Sequence, residues 1–132
     1  MPDTITILLA EDDRFLRRAA EATLKKKGYN VVTAADGQEA LDAARRERPD
    51  LILLDVIMPK LQGFEVLERL KADSNTRDIP VVMLSNLGQD TDQAFALEQG
   101  AVAYLVKANV GLADLARHVA DILGKAPHQQ AD

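Results

Sequence analysis

Five side chains able to do chemistry each stand directly after an apolar run. Glu11 and Asp12 follow residues 4–10, Asp55 follows 51–54, Ser85 follows 80–84 and Lys107 follows 101–106. If those runs are parallel strands of one sheet, their carboxyl ends share an edge, and sites in open parallel sheets form outside that edge. Three carboxylates, one hydroxyl and one amine would then face a common crevice. Two carboxylates about 4 Å apart repel by a few kcal/mol at an effective dielectric near 20. Such a cluster needs a cation, a proton or an ammonium group, and hard oxygen ligands at an open site suit Mg²⁺. Each residue also has a plainer role open to it. Asp12 or Asp13 can cap a helix, Ser85 can start a turn, and Lys107 can be a solvated strand end.

The elements that must position these groups are legible in the hydrophobic pattern. Leu51-Ile-Leu-Leu is a strand buried on both faces, as inside a parallel sheet, and Pro59 falls in the loop beyond Asp55, where a missing N–H costs nothing. The first strand ends at Glu11-Asp12-Asp13, and Leu16, Ala19, Ala20, Thr23 and Leu24 then recur at helical spacing. Arg17, Arg18 and Glu21 take the other face. Gly28 ends this helix, with Lys25-Lys26-Lys27 in its last turn, where cations suit the macrodipole. A short second strand, Asn30-Val-Val-Thr, precedes a helix that follows Asp36-Gly37. Gly63 opens a third helix carrying Phe64, Leu67 and Leu70. The helix from about Asp90 to Gln99 is the weakest amphipath: Ala94 and Leu97 suit a core, whereas Phe95 points elsewhere. The last helix carries Leu112, Leu115, Ala116, Val119, Ile122 and Leu123 on one face and is capped by Gly124. Five strand–helix units with short connections predict a doubly wound parallel α/β sheet with helices on both faces.

Composition narrows the function. The chain has 132 residues, 47% of them hydrophobic and 28% charged, which predicts one ordinary domain over residues 1–124 and a disordered tail over 125–132. A net charge of −5 argues against a nucleic-acid-binding face. With no cysteine, disulfides, thiol catalysis and cysteine-based zinc sites are excluded. His118 and His128 are too few for a metal cluster, and His118 lies off the apolar stripe of its helix. No run approaches membrane-spanning length and the N-terminus lacks a signal-peptide pattern, so a cytoplasmic location is expected.

Taken in order, Glu11-Asp12, Asp55 with Met58-Pro59, Gly63, Ser85, and Tyr104 three residues before Lys107 resemble the receiver domain of bacterial two-component response regulators, of the CheY-like kind. The likeness covers about residues 4–124. It implies a flavodoxin-like (βα)5 fold with strand order 2-1-3-4-5. It further implies that Asp55 is the phosphoacceptor, that Asp12 binds Mg²⁺ directly and Glu11 through water, and that the backbone carbonyl of Ile57 completes the metal site with Asp55. Lys107 would neutralise a phosphoryl oxygen, Ser85 would donate its hydroxyl to the phosphorylated form, and Tyr104 would change rotamer in response. The implied donor is a histidine kinase or phosphotransfer protein. The implied output is an unknown protein target bound through the fourth helix, fifth strand and fifth helix, where Phe95 is a candidate contact. Such a chain is a monomer or a weak phosphorylation-dependent dimer. It is not an enzyme in its own right, promoting only its own phosphorylation and dephosphorylation. A phosphorylation-independent protein-interaction module is the alternative.

Several positions depart from the family's pattern. Ala108 stands after Lys107 where many relatives have a cis proline; a cis bond here would cost about 2.5–4 kcal/mol, and both isomers stay open. Asn86 replaces a small residue after Ser85, where its side chain could narrow access to Asp55 or hydrogen-bond a phosphoryl oxygen. Gln62 stands where many relatives have aspartate. Ile57 and Leu87, two residues after Asp55 and Ser85, cannot orient an attacking water, so a long-lived phospho-Asp55 is expected. Ile57 also argues against a haloacid-dehalogenase-type phosphatase, which needs a second acid there. A flavin-binding flavodoxin wants a phosphate cradle where Glu11-Asp12-Asp13 would repel phosphate.

Overall fold

Strand β3, Leu51–Asp55, is buried at every position and forms the centre of a five-stranded sheet. The computed structural model describes residues 4–86 and 90–124; Leu87 and the tail expected over 125–132 lie outside them. In chain order the elements are β1 (Thr6–Ala10), α1 (Arg14–Lys26), β2 (Asn30–Ala34), α2 (Gly37–Glu47), β3, α3 (Gly63–Ala72), β4 (Val81–Ser85), α4 (Asp90–Glu98), β5 (Ala103–Val106) and α5 (Leu112–Gly124). A single 3₁₀ turn, Lys107–Asn109, separates the last two. All strand pairs are parallel and the order is β2-β1-β3-β4-β5, as expected.

Period-two alternation sends the residues of each central strand to two different cores. Leu51 and Leu53 join Ile7, Leu9 and Val82 under α1 and α5. Ile52 and Leu54 join Leu8, Ala10 and Met83 under α2, α3 and α4. The four side chains Leu51–Leu54 are all 0% exposed. At about 2 kcal/mol for each buried branched side chain, the stretch is costly to displace. Asp55 therefore stands on a firmly held strand. Register places it beside Leu84 of β4, while Ser85 pairs with Val106 of β5.

The helices follow the apolar stripes with two differences. On α1, Ala20 and Leu24 are buried, but Leu16 is 45% exposed. With Leu112 it borders a cleft between α1 and α5 that reaches Glu11 and Lys107. On α4, Ala96 is the buried apolar residue, and the expected core residues Ala94 and Leu97 are exposed. The helix carries apolar and polar groups almost evenly around its circumference, so its sequence could not select the inward face. Phe95, half exposed, rests edge-on against Phe64 of α3 with ring centroids 5.1 Å apart.

Candidate functional site

The expected crevice exists at the carboxyl edge of the sheet, and Lys107 is its centre. Its Nζ lies 2.6 Å from Glu11 Oε1 and 2.9 Å from Asp55 Oδ2. One ammonium thus bridges carboxylates from β3 and from the end of β1. Glu11 and Asp55 are each 4% exposed, whereas Asp12 is open to solvent. The side chains of Glu11, Asp12 and Asp55 offer three oxygens that all lie within 4.8 Å of one another. Ser85 is buried at the end of β4, and Tyr104 is buried on β5. Asn86 is exposed beside Ser85, and the Ile57 side chain projects to solvent. The peptide bond between Lys107 and Ala108 is trans.

Two loops bring the acids together. After β1, the Glu11 N–H donates to Ala34 O of β2 at 3.0 Å, and the Asp13 N–H donates to Glu11 Oε2 at 3.0 Å. Asp13 caps α1 by accepting from the Leu16 N–H, which leaves Asp12 free of that duty. After β3, the Val56 N–H donates to Leu84 O and the Gly63 N–H to Val56 O, so the loop leaves and returns on backbone bonds. A Cβ at Gly63 would overlap the Asp55 carbonyl, and one at Gly37 would overlap the Leu61 carbonyl. These two glycines let the β3–α3 loop lie directly on the starts of α3 and α2. Lys60 turns the loop with φ 68° and pairs with Asp36 at 3.5 Å. Gln62 precedes α3 without a side-chain capping bond.

Burial pushes the Asp55 carboxyl up to about 7; the Lys107 hydrogen bond pulls the other way, and the Glu11 charge adds to the rise. Burial pulls Lys107 down, but its hydrogen bonds to Glu11 and Asp55 outweigh this and leave it above its ordinary value. Three ionised carboxylates and one ammonium would carry a net charge of −3 + 1 = −2. That imbalance fits a divalent cation, and the donor set is the hard-oxygen kind that suits Mg²⁺.

Spacing and strand ends identified Glu11, Asp12, Asp55, Ser85 and Lys107, and the structure gathers all five at one edge. It adds Arg17, whose Nη1 donates to the Glu11 carbonyl at 2.8 Å and to the Asp12 carbonyl at 3.4 Å. The sequence placed Arg17 on a polar helix face; its position one turn after an acid pair at a strand end was the available signal. Gly37 was missed as well, because its contact is with a loop far away in the chain.

An all-parallel doubly wound sheet with an acid–ammonium cluster at its carboxyl edge defines the class. Residues 7–120 match the response regulator receiver domain, and the chain belongs to that family. It is 48% identical over 101 residues to a probable transcriptional regulator ycf27 of Cyanophora paradoxa, covering 76% of this chain and 41% of that protein. It is 42% identical over 102 residues to the transcriptional regulatory protein AfsQ1 of Streptomyces coelicolor, covering 77% of this chain and 44% of that one. The chain thus spans about two-fifths of the length of the curated relatives it matches. Among solved structures, chemotaxis response regulator CheY4 of Vibrio cholerae superposes with a TM-score of 0.85 at 31% identity, covering 91% of this chain and 99% of that one. A CheY-like receiver domain protein of Methanospirillum hungatei gives 0.88 at 26% identity, covering 96% and 99%. Among the described residues, no helix is long and apolar enough to cross a membrane.

Proposed function

We propose that Asp55 accepts a phosphoryl group from the phosphohistidine of a histidine kinase or phosphotransfer protein, and that this switches the α4–β5–α5 surface for a downstream protein partner. The observation that carries this reading is the Lys107 ammonium shared by the buried Glu11 and Asp55. A buried acid held against a cation, with a further open acid beside it, is what a nucleophile for phosphate needs.

An Asp55 carboxylate oxygen attacks phosphorus while the P–N bond of the donor breaks. Its electron pair leaves with the imidazole, which carries a proton on its other nitrogen and departs neutral. Asp12, Asp55, Glu11 and the Ile57 backbone carbonyl are the groups that would hold Mg²⁺, which when bound would supply positive charge to offset that on the phosphoryl oxygens. Lys107 gives up its bond to Asp55 Oδ2 and donates to a phosphoryl oxygen instead. The phosphorylated side chain has more charge and more acceptors than the carboxylate it replaces. The Ser85 hydroxyl donates to one of these acceptors, Tyr104 follows by changing rotamer, and the surface beyond it is re-set. The domain works in the cytoplasm and acts on no substrate beyond its own Asp55.

Incubation with acetyl phosphate and Mg²⁺, followed by intact-mass measurement, tests this. The expected result is one added phosphoryl group, lost with a chelator and absent in Asp55→Asn. No label on the wild-type chain, with or without Mg²⁺, would overturn the reading in favour of a phosphorylation-independent binding module.

A further inference from the structure

We infer that Arg17 is a positioning residue for the Glu11–Asp12 pair, setting how well that pair receives its divalent cation. The inference rests on the proposed phosphoacceptor site. Arg17 lies in the first turn of α1, where its own N–H donates to Asp13 O at 2.9 Å. Its guanidinium reaches back over that turn to the carbonyl oxygens of Glu11 and Asp12. Among the described residues it forms no ion pair with a carboxylate. Its charge is therefore spent on two backbone acceptors, in the one segment that carries both acids.

The consequence is geometric. Each carbonyl fixes a peptide plane, and the peptide planes at Glu11 and Asp12 fix where their Cα–Cβ bonds aim. The Glu11 side chain has further ties, to the Asp13 N–H and to Lys107. Asp12 is exposed, so the hold on its peptide comes from the backbone and from Arg17. Groups that orient metal ligands without touching the metal commonly govern affinity.

Electrostatics supplies a sign that separates this role from a bystander's. A guanidinium close to a cation site repels the cation, so a charge with no positioning role should, on removal, tighten Mg²⁺ binding. A charge that orders the ligands should weaken it on removal. Arg18, the exposed neighbour on the same helix, supplies the comparison for charge alone.

Calorimetric titration of the full chain with Mg²⁺ decides between these. Arg17→Ala should bind Mg²⁺ about tenfold more weakly than wild type, at the low end of the range for such supporting residues because the carbonyls are partly exposed. Arg17→Lys, whose ammonium can donate to the same carbonyls, should recover most of the loss. Arg18→Ala should bind as wild type or slightly more tightly. In acetyl phosphate labelling, Arg17→Ala should raise the Mg²⁺ concentration for half-maximal rate by the same factor and leave the rate at saturating Mg²⁺ unchanged. Equal or tighter binding in Arg17→Ala would overturn the inference while leaving the site intact. Should Arg17→Ala fail to give a cooperative melt, Arg17→Met, which keeps the apolar stem and removes the charge and the donors, carries the test: weaker Mg²⁺ binding than wild type supports the role, and equal or tighter binding overturns it. A wild-type chain that binds no Mg²⁺, or an Asp12→Asn variant that binds as well as wild type, overturns the metal site itself and this role with it.

Discussion

The two loops that carry the acids are held mainly by different means, although each has one tie of the other kind, Glu11 N–H to Ala34 O in the first and Lys60 to Asp36 in the second. The loop after β1 is tied by side chains: Asp13 caps α1, Glu11 accepts from the backbone beside it, and Arg17 grips two carbonyls. The loop after β3 is tied by backbone bonds and by two glycines that let main chains touch. Polar ties of the first kind contribute about 1 kcal/mol each and can be lost singly. A glycine contact has no intermediate setting, because a Cβ either fits or does not. The domain thus combines an adjustable loop, bearing the open Asp12, with a fixed loop that starts from the buried Asp55.

The sharpest way to break that contrast is Gly63→Ala. Its Cβ would meet the carbonyl of Asp55, on a strand that cannot yield, so a loss of about 3 kcal/mol in denaturant unfolding is expected. Gly37→Ala should also lose about 3 kcal/mol, because its Cβ would overlap the carbonyl of Leu61, a buried residue of the β3–α3 loop. That loop would move, so labelling of Asp55 should fall even where the fold survives. A Gly63→Ala chain as stable as wild type would show that the β3–α3 loop is as adjustable as the other.

The next effect is electrostatic. Asp55 has a folded pKa of about 7 against an ordinary 3.8, so the folded state binds this proton more tightly than the unfolded state does. The stability it contributes is fully present below about 3.8 and is lost as pH rises through about 7. Without Mg²⁺, Tm should therefore fall between pH 5 and pH 8, on the order of several degrees. Asp55→Asn should flatten that slope and melt higher than wild type at pH 8, and added Mg²⁺ should flatten it in the wild-type chain. A rising Tm over the same interval would contradict the burial of an unbalanced acid.

Asp13→Ala probes the adjustable loop and should cost about 1 kcal/mol, as for other lost caps, while retaining labelling. The smallest change in stability belongs to Ile57→Asn, one half of the Ile57→Asn/Leu87→Glu pair. Ile57 is 54% exposed, and surface changes of this kind usually stay within about 0.5 kcal/mol. Its effect should fall on time instead, with phospho-Asp55 hydrolysing severalfold faster once polar groups can orient water. An unchanged half-life after removal of free phosphodonor would refute the slow-clock expectation for the native pair.

Much of this was legible in the sequence for identifiable reasons. Strands buried on both faces show as unbroken apolar runs, and parallel pairing then forces their polar ends onto one edge. That is why the pattern of the chain alone groups Glu11, Asp12, Asp55, Ser85 and Lys107. Arg17 could not, since its role depends on a long side chain folding back over a helix turn. Nor could the contact between Gly37 and Leu61, where two loops distant in sequence meet. The inward face of α4 is not legible in the sequence, because Ala96 anchors it while the larger Leu97 does not. Size and spacing favour Leu97 when a helix has no marked apolar side.

Lys107 closes the site from 96 residues after Glu11 and 52 after Asp55. A growing chain therefore carries both acids before it carries the ammonium that reconciles them, and in refolding these contacts of large sequence separation are expected among the slowest to form. In rapid refolding, helical signal should recover first and reactivity of Asp55 toward acetyl phosphate last. The chemistry of the domain then doubles as a report that its final strand has docked.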